Sequence, residues 1–444
     1  MNFLDQIRDL NFPAPLPETV LAVEQQFDAP RVNNVATATE AALHESELLR
    51  PIRAGDRVAI GVGSRGIANL AAIVKATVDV LKAAGAQPFI TPAMGSHAGA
   101  TVTGQTEMLA NLGVSEATIG APIRATMEVQ EIGRVPDGPP LYQDVLSAAA
   151  DHTLLINRVK PHTSFRSHIE SGLAKMAVIG LGKQHGAATM HARGVYGLKN
   201  YIAPAARIYE TSTNLIGGLA IVENAYDETA AIVGLTAAEI GAAREAELLE
   251  RAKSLMARLP FPEIDVLVVQ QLGKNISGTG MDTNVIGRLK IPRQAEPSDG
   301  PDIATIAVLD LTEATHGNAN GMGLANVITA RVAQQIDWQA VYTNALTSGV
   351  LGMWRASMPL TMADDRRAIQ AAVLGCGLPP EEARLVFIRD TLTLDRLWVS
   401  PKLRAAVESH PSLTILDEVP LAFDAGGAMR GPWQLTNTMQ TSRL

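Results

Sequence analysis

Residues 58–70 read VAIGVGSRGIANL, an apolar run that carries Gly61, Gly63 and Gly66 into a helical pattern. The spacing G-x-G-x-x-G between a strand and a helix is that of a dinucleotide-binding turn. The flanks fit an α/β unit: RVAIGVG reads as a buried strand, IANLAAIVKATVDVLKAAG as a helix closed by Gly85, and AQPFITPAMG as the next strand. A dinucleotide fold also needs an acid at the end of its second strand, roughly 20 residues beyond the glycines, to hold the ribose hydroxyls. Here that strand ends in Ile90, Thr91 and Pro92, and Asp79 lies inside the helix pattern. The fingerprint therefore fails its own context. What remains is a tight turn that presents Ser64, Arg65 and backbone N–H groups at a helix start, a place for an anion. The alternative is a turn with an exposed arginine.

Strand-like and helix-like runs go on alternating along the chain, which predicts an α/β protein of two domains, each with a mostly parallel sheet flanked by helices. HTLLINRVKP is a strand running into a loop, and GLTAAEIGAAREAELLERAKSLMARLP is one long helix stopped by Pro260. IDVLVVQQLG and ATIAVLDLT then start a second series, which sets the expected domains at 1–259 and 260–444. The chain has 444 residues, 47% hydrophobic and 18% charged, and contains no apolar run long enough to span a bilayer. A net charge of −8 and 4% aromatics disfavour nucleic acid as a partner. The single cysteine, Cys376, excludes a disulfide framework, and the start lacks a secretory pattern, so a cytoplasmic location is expected.

Of nine histidines, His152, His162, His168, His185 and His191 fall between residues 152 and 191, and His97 follows the second strand. Histidine suits proton transfer near neutrality, and its neutral ring ligates metals. No zinc spacing is present. The segment 157–194, NRVKPHTSFRSHIESGLAKMAVIGLGKQHGAATMHARG, is dense in Gly, Lys and His, with Glu170 its only acid. That composition suits a bound phosphate or carboxylate. Lys175 sits among apolar residues; it reads either as a nucleophile or covalent anchor, or as a packed stem whose ammonium reaches water.

These residues together resemble the lactate racemase family, whose members use a nickel pincer nucleotide (nickel pyridinium-3,5-bisthiocarboxylic acid mononucleotide). The family's Thr-Arg pair is matched by Ser64-Arg65, and its Gly-Thr-His loop by Gly95-Ser96-His97. Its Pro-His followed by Ser-Gly-x-x-Lys is matched by Pro161-His162 and by Ser171-Gly172-Leu173-Ala174-Lys175. The likeness is good over roughly residues 50–200 and loose beyond. It implies that Lys175 joins the cofactor, with Ser64, Ser171 and Gly172 beside it, and that His191, sixteen positions later, binds nickel. It also implies that His97 and His162 are the two bases. Three extra residues separate His162 from Lys175 relative to the family, which leaves His168 as a rival second base. In the second domain GTGMDTNVIGRLK lies over a family segment ending in a substrate-binding lysine, here Lys290, with Lys274 in LGKNISG as its rival. The Tyr and Gln preceding that lysine in the family are Ile286 and Gly287 here.

The activity so implied is racemisation or epimerisation of a small 2-hydroxy acid. The carbon-bound hydrogen leaves as hydride while a base takes the hydroxyl proton, so no unstabilised carbanion forms. Arg65, with Lys290 or Lys274, clamps the carboxylate. Cofactor-synthesis proteins are the expected partners. Two other readings stand beside this one: a metal-dependent hydrolase or lyase using the histidine cluster, and a non-catalytic protein that binds the cofactor or an anion. Separately, the 311–326 loop offers His316, Asn318 and Asn320 either as readers of a polyhydroxy substrate or as caps of a Gly-rich turn.

Overall fold

The computed structural model describes residues 3–64, 66–292, 295–297 and 299–430. The chain divides into two compact units: residues 28–256, and the stretch up to Phe27 together with the residues from Ala257 onward. Both are α/β, as the alternation predicts. The strands in chain order are β1 (Thr19–Gln25), β2 (Arg57–Val62), β3 (Gln87–Pro92), β4 (Val129–Arg134), β5 (Pro140–Asp144), β6 (His152–Arg158), β7 (Leu215–Glu223) and β8 (Thr229–Thr236). They continue as β9 (Glu263–Leu272), β10 (Asp302–Leu311), β11 (Val327–Thr329), β12 (Leu360–Met362), β13 (Leu385–Ile388), β14 (Arg396–Val399) and β15 (Leu413–Pro420).

The first unit is built on a five-stranded sheet ordered β3-β2-β6-β7-β8, parallel except for β8. Its central strands are continuous apolar runs because both faces are covered. On one face Val58, Ile60, Val62, Leu154 and Ile156 pack with the helix Leu70–Ala83. On the other, Leu155 and Val159 pack with the helices Gly194–Ser212 and Ala243–Leu255. The helix Leu70–Ala83 buries Leu70, Ile73, Val74, Thr77 and Leu81 at helical spacing. It stops as the sequence predicts: Gly85 adopts φ +83° and donates to the Lys82 carbonyl, while Ala86 N–H donates to Leu81. This pair of bonds closes the last turn.

From β2 the chain moves to β3 on one side, and later to β6 on the other. The carboxyl ends of β2 and β6 therefore flank the point where the winding reverses, the position at which open parallel sheets form a crevice for ligands.

The second unit holds an eight-stranded sheet ordered β12-β11-β10-β9-β13-β14-β1-β15. The run from β12 to β13 is parallel, and β14, β1 and β15 add on antiparallel. The expected domain 1–259 differs here, since β1 belongs with the chain's last strands. Leu21, Ala22 and Val23 pair with Val399, Trp398 and Leu397 on one side, and Thr19 pairs with Pro420 on the other. The alternating VLAVEQ run of β1 is satisfied only by that sheet. The predicted long helix over 234–260 is also shorter. Gly234 and Thr236 complete β8, Gly241 turns with φ +72°, and the helix occupies Ala243–Leu255. Among the described residues no helix is long and apolar enough to cross a membrane.

Removing residues 1–27 should strip β1 from between β14 and β15. We expect a lower melting temperature and faster proteolysis within 257–430 than in the full chain, read by limited proteolysis with mass mapping.

Candidate functional site

The glycines of the opening turn have different surroundings: Gly61 lies tight against β6, Gly63 against the helical segment after Lys175, and Gly66 faces open space. A methyl group on Gly61 would lie 2.7 Å from Leu155 Cδ2 and 3.6 Å from Leu181 Cδ2, and one on Gly63 3.1 Å from Met176 Cε. Gly95, after β3, holds φ +59° with the Ile179 carbonyl 3.1 Å from where its Cβ would be, and its N–H donates to the Gly180 carbonyl. The segment that needs this room is the wide π-helical turn Met176–Leu181, which directly follows Lys175. The turn therefore brings the Lys175 segment down onto the carboxyl edge of β2 and β3.

The predicted helix start at the Ser64 turn moves. The helix begins at Leu70, after Asn69 in a left-handed conformation, so Ser64 does not sit at its N-terminus. The anion at this turn is the protein's own Glu223, at the end of β7. It accepts from Ala68 N–H at 2.7 Å and pairs with Arg158 at the end of β6. Arg65 lies outside the described residues. Ser64 Oγ is hydrogen-bonded to His97 Nδ1, which joins the loops after β2 and β3. With Nδ1 so engaged, the ring's Nε2 is its other polar atom.

The loop after β6 carries His162, half-buried, with its Nδ1 accepting from Ser164 N–H at 3.0 Å and its ring stacked on Phe165. This bond assigns the neutral ring's proton to Nε2. The loop is shaped by buried Glu170, which accepts from the N–H groups of His162 (2.8 Å) and Ser167 (3.1 Å) and pairs with Lys253. Ser171 and Gly172, expected beside a cofactor, build the turn itself. The Ser171 hydroxyl accepts from Lys160 N–H and donates to the Lys160 carbonyl. Gly172 has φ +93°, and a Cβ there would stand 2.3 Å from Glu245 Oε1.

Lys175 is half-buried and lies close enough to His191 for its charge to act there. Desolvation by neighbouring groups, and then the Lys175 ammonium, hold His191 below the ordinary imidazole value although part of the ring meets solvent. At neutral pH His191 is thus an uncharged imidazole, the form that ligates a metal. Of the remaining histidines in the predicted cluster, His152 lies at the opposite, amino end of β6, bonded to Asp56. His185 stacks edge-on against Tyr142, and His168 is exposed on the His162 loop.

Two buried ionisable groups that sequence reasoning passed over hold this arrangement: Lys183, and Glu245, whose carboxyl burial pushes up to about 7. Lys183 starts the helix that ends at His191 and has φ +52°. Its ammonium donates to the Pro92 carbonyl at the end of β3 and lies 3.4 Å from Gln105 Oε1. Gln105 Nε2 in turn donates to the carbonyls of Gly95 (3.0 Å) and His97 (3.4 Å). Glu245 is fully buried, accepting from Ala174 N–H at 3.1 Å and Gly241 N–H at 2.7 Å. Neither residue stands in a motif, and their sequence neighbours, Gly182 and Gln184 for Lys183 and Arg244 and Glu247 for Glu245, do not single them out.

The predicted substrate lysines belong to the other unit. Lys274 donates to the carbonyls of Gly278 and Asn320. Lys290, with φ +50°, donates to the Gly323 carbonyl beside a cavity of about 620 Å³ lined also by Arg288, Glu296 and Asn326. Desolvation, then the Arg288 charge, holds the Lys290 ammonium below the usual lysine value. In the 311–326 loop Asn318 Oδ1 accepts from Asn320 N–H, the buried Asn320 side chain donates to the Gly352 carbonyl, and His316 is exposed.

No protein-family model matches the sequence, and no curated protein matches it. Among solved structures the chain is similar to the lactate racemase apoprotein from Thermoanaerobacterium thermosaccharolyticum, at 14% identity and TM-score 0.46, with 86% of this chain and 86% of that one covered. It is similar to a protein from Thermotoga maritima at 14% identity and TM-score 0.46, over 62% of this chain and 70% of that one. At that level the functional reading is left to the site's own residues.

Burial pushes the Lys183 amine down to about 8. The native state then binds fewer protons than the unfolded chain between about pH 8 and the ordinary lysine value of 10.5, so stability rises with pH across that window. Lys183→Met should flatten that rise, measured by urea unfolding at several pH values.

Proposed function

We propose that the chain is an isomerase, a racemase or epimerase of a small 2-hydroxy acid, working with a nickel pincer nucleotide anchored on Lys175. The observation that supports it is that one consecutive helical stretch, Leu173–Lys175, Met176–Leu181 and Lys183–His191, carries Lys175 and His191 in the unit whose parallel-sheet edge bears the His97 and His162 loops. The donor set fits such a group. A nickel ion that takes one imidazole from the protein and the rest of its ligands from the nucleotide needs no protein cluster. An ordinary divalent-metal hydrolase site calls for about three protein ligands, and among the described residues no group of three His, Cys, Asp or Glu is assembled.

When bound, the nucleotide supplies an acceptor for the hydrogen on the substrate's carbinol carbon. The chain supplies the rest. The Lys175 amine would hold the nucleotide, and the His191 imidazole would be the protein's ligand to its metal. His97, held at Nδ1 by Ser64, takes the hydroxyl proton at Nε2. His162, with its proton on Nε2, is the counterpart that donates to a substrate oxygen. Arg65 and Lys290 or Lys274 are the candidate carboxylate partners.

The test is intact-protein mass spectrometry of the chain produced with and without cofactor-synthesis enzymes, followed by peptide mapping. A cofactor-sized adduct on Lys175, with nickel lost in His191→Ala, is expected. An unmodified Lys175 under conditions that load a known racemase overturns the reading. In the loaded enzyme His97→Gln should lower turnover of a 2-hydroxy acid by about 10²–10⁴-fold.

A further inference from the structure

The helical segment that carries Lys175 begins without a cap of its own. Its N-cap is Gly172, which has no side chain, so the first N–H groups of the turn find no local acceptor. The acceptor comes from elsewhere in the chain. Glu245, 71 residues downstream of Ala174, places Oε1 at 3.1 Å from Ala174 N–H. Oε2 accepts from Gly241 N–H, which fixes the carboxylate from its far side. No cation is paired with it by salt bridge among the described residues, so these backbone N–H groups are what holds a fully buried acid in place. A carboxylate facing a helix N-terminus is favoured by the dipole as well as by the bonds. Gly172 is the other half of the arrangement, because any Cβ there would strike Glu245 Oε1 at 2.3 Å and Val159 Cγ2 at 3.0 Å.

We infer that Glu245 is the positioning residue for Lys175: through its bond to the Ala174 amide it caps the turn from a distant helix and so fixes where the lysine stem leaves the backbone. Two residues of the Ser-Gly-Leu-Ala-Lys run thereby acquire a physical role. Ser171 pins the incoming loop to Lys160, and Gly172 makes room for the Glu245 carboxylate. The Ala243–Leu255 helix is in this way part of the site's support, although none of its residues needs to touch a ligand. The inference rests on reading Lys175 as the anchoring lysine, and its test uses the full chain produced without cofactor.

Native-state hydrogen exchange would be followed at the Ala174 and Gly241 amides. Acetylation of Lys175 by a small activated ester would be mapped against exposed Lys402 as internal reference. In Glu245→Ala the Ala174 amide should exchange about fivefold or more faster, while the Leu154–Ile156 amides of β6 stay protected. The Lys175-to-Lys402 acetylation ratio should change by about threefold or more. Glu245→Gln keeps one acceptor oxygen for Ala174 and should return the ratio towards the wild-type value, a rescue that general destabilisation would not produce. If Glu245→Ala fails to fold, Glu245→Asp, one methylene short of the turn, carries the same expectation of an altered ratio. A folded Ala or Asp variant with a wild-type Lys175 ratio overturns the inference. Wild-type chain that carries no adduct when produced with cofactor-synthesis enzymes overturns the functional reading instead, and leaves the acetylation comparison standing.

Discussion

The unit spanning residues 28–256 depends on one close approach: the π-helical turn Met176–Leu181 lying against the carboxyl ends of β2 and β3. Gly63 and Gly95 leave the space for it, and Gly180 returns the fit, since a Cβ there would lie 2.6 Å from the Ala93 carbonyl. Side chains at these places would lift the turn off the sheet, and with it Lys175. A widened turn inside a helix costs regular hydrogen bonding and is found mostly at functional positions. Here its local effect is visible: it joins the short Lys175 helix to the helix that ends at His191.

How much of this could be read from residues alone divides along physical lines. The strands β2, β3, β6, β9 and β10 announce themselves because a parallel strand covered on both faces must be apolar throughout. The Leu70–Ala83 helix and its Gly85 stop follow from spacing and cap chemistry. The extent of the last helix of the unit did not, because GLTAAEIG has a helical composition while Gly234 and Thr236 are already spent in pairing with β7. Tertiary pairing overrides propensity at such a point. The site shows the same division. Ser64, His97, His162, Lys175 and His191 stand in short motifs. Glu223, Glu170, Glu245 and Lys183 act through backbone groups many residues away, and sequence spacing carries no trace of that.

Those four ionisable groups also explain why so exposed a set of histidines keeps a defined arrangement. Each binds main-chain groups at a loop or helix end, and each has given up water to do so. Burying a charge is unfavourable unless its partners are well placed. A network built on backbone partners tolerates little displacement, which makes it a rigid frame for loops whose own packing is thin.

The placement of β1 has a consequence for how the chain comes to be folded. Thr19 precedes residues 28–256 and Pro420 follows them, yet the two are neighbours in one sheet. During synthesis the N-terminal strand must wait, unpaired, while the whole of residues 28–256 emerges and while β9 to β13 follow. Closing so long a loop is slow by topology. Until β14 and β15 have followed, the strand Thr19–Gln25 lacks the partners of its native sheet, and Glu18 and Glu24 are charges of the kind that discourage pairing elsewhere.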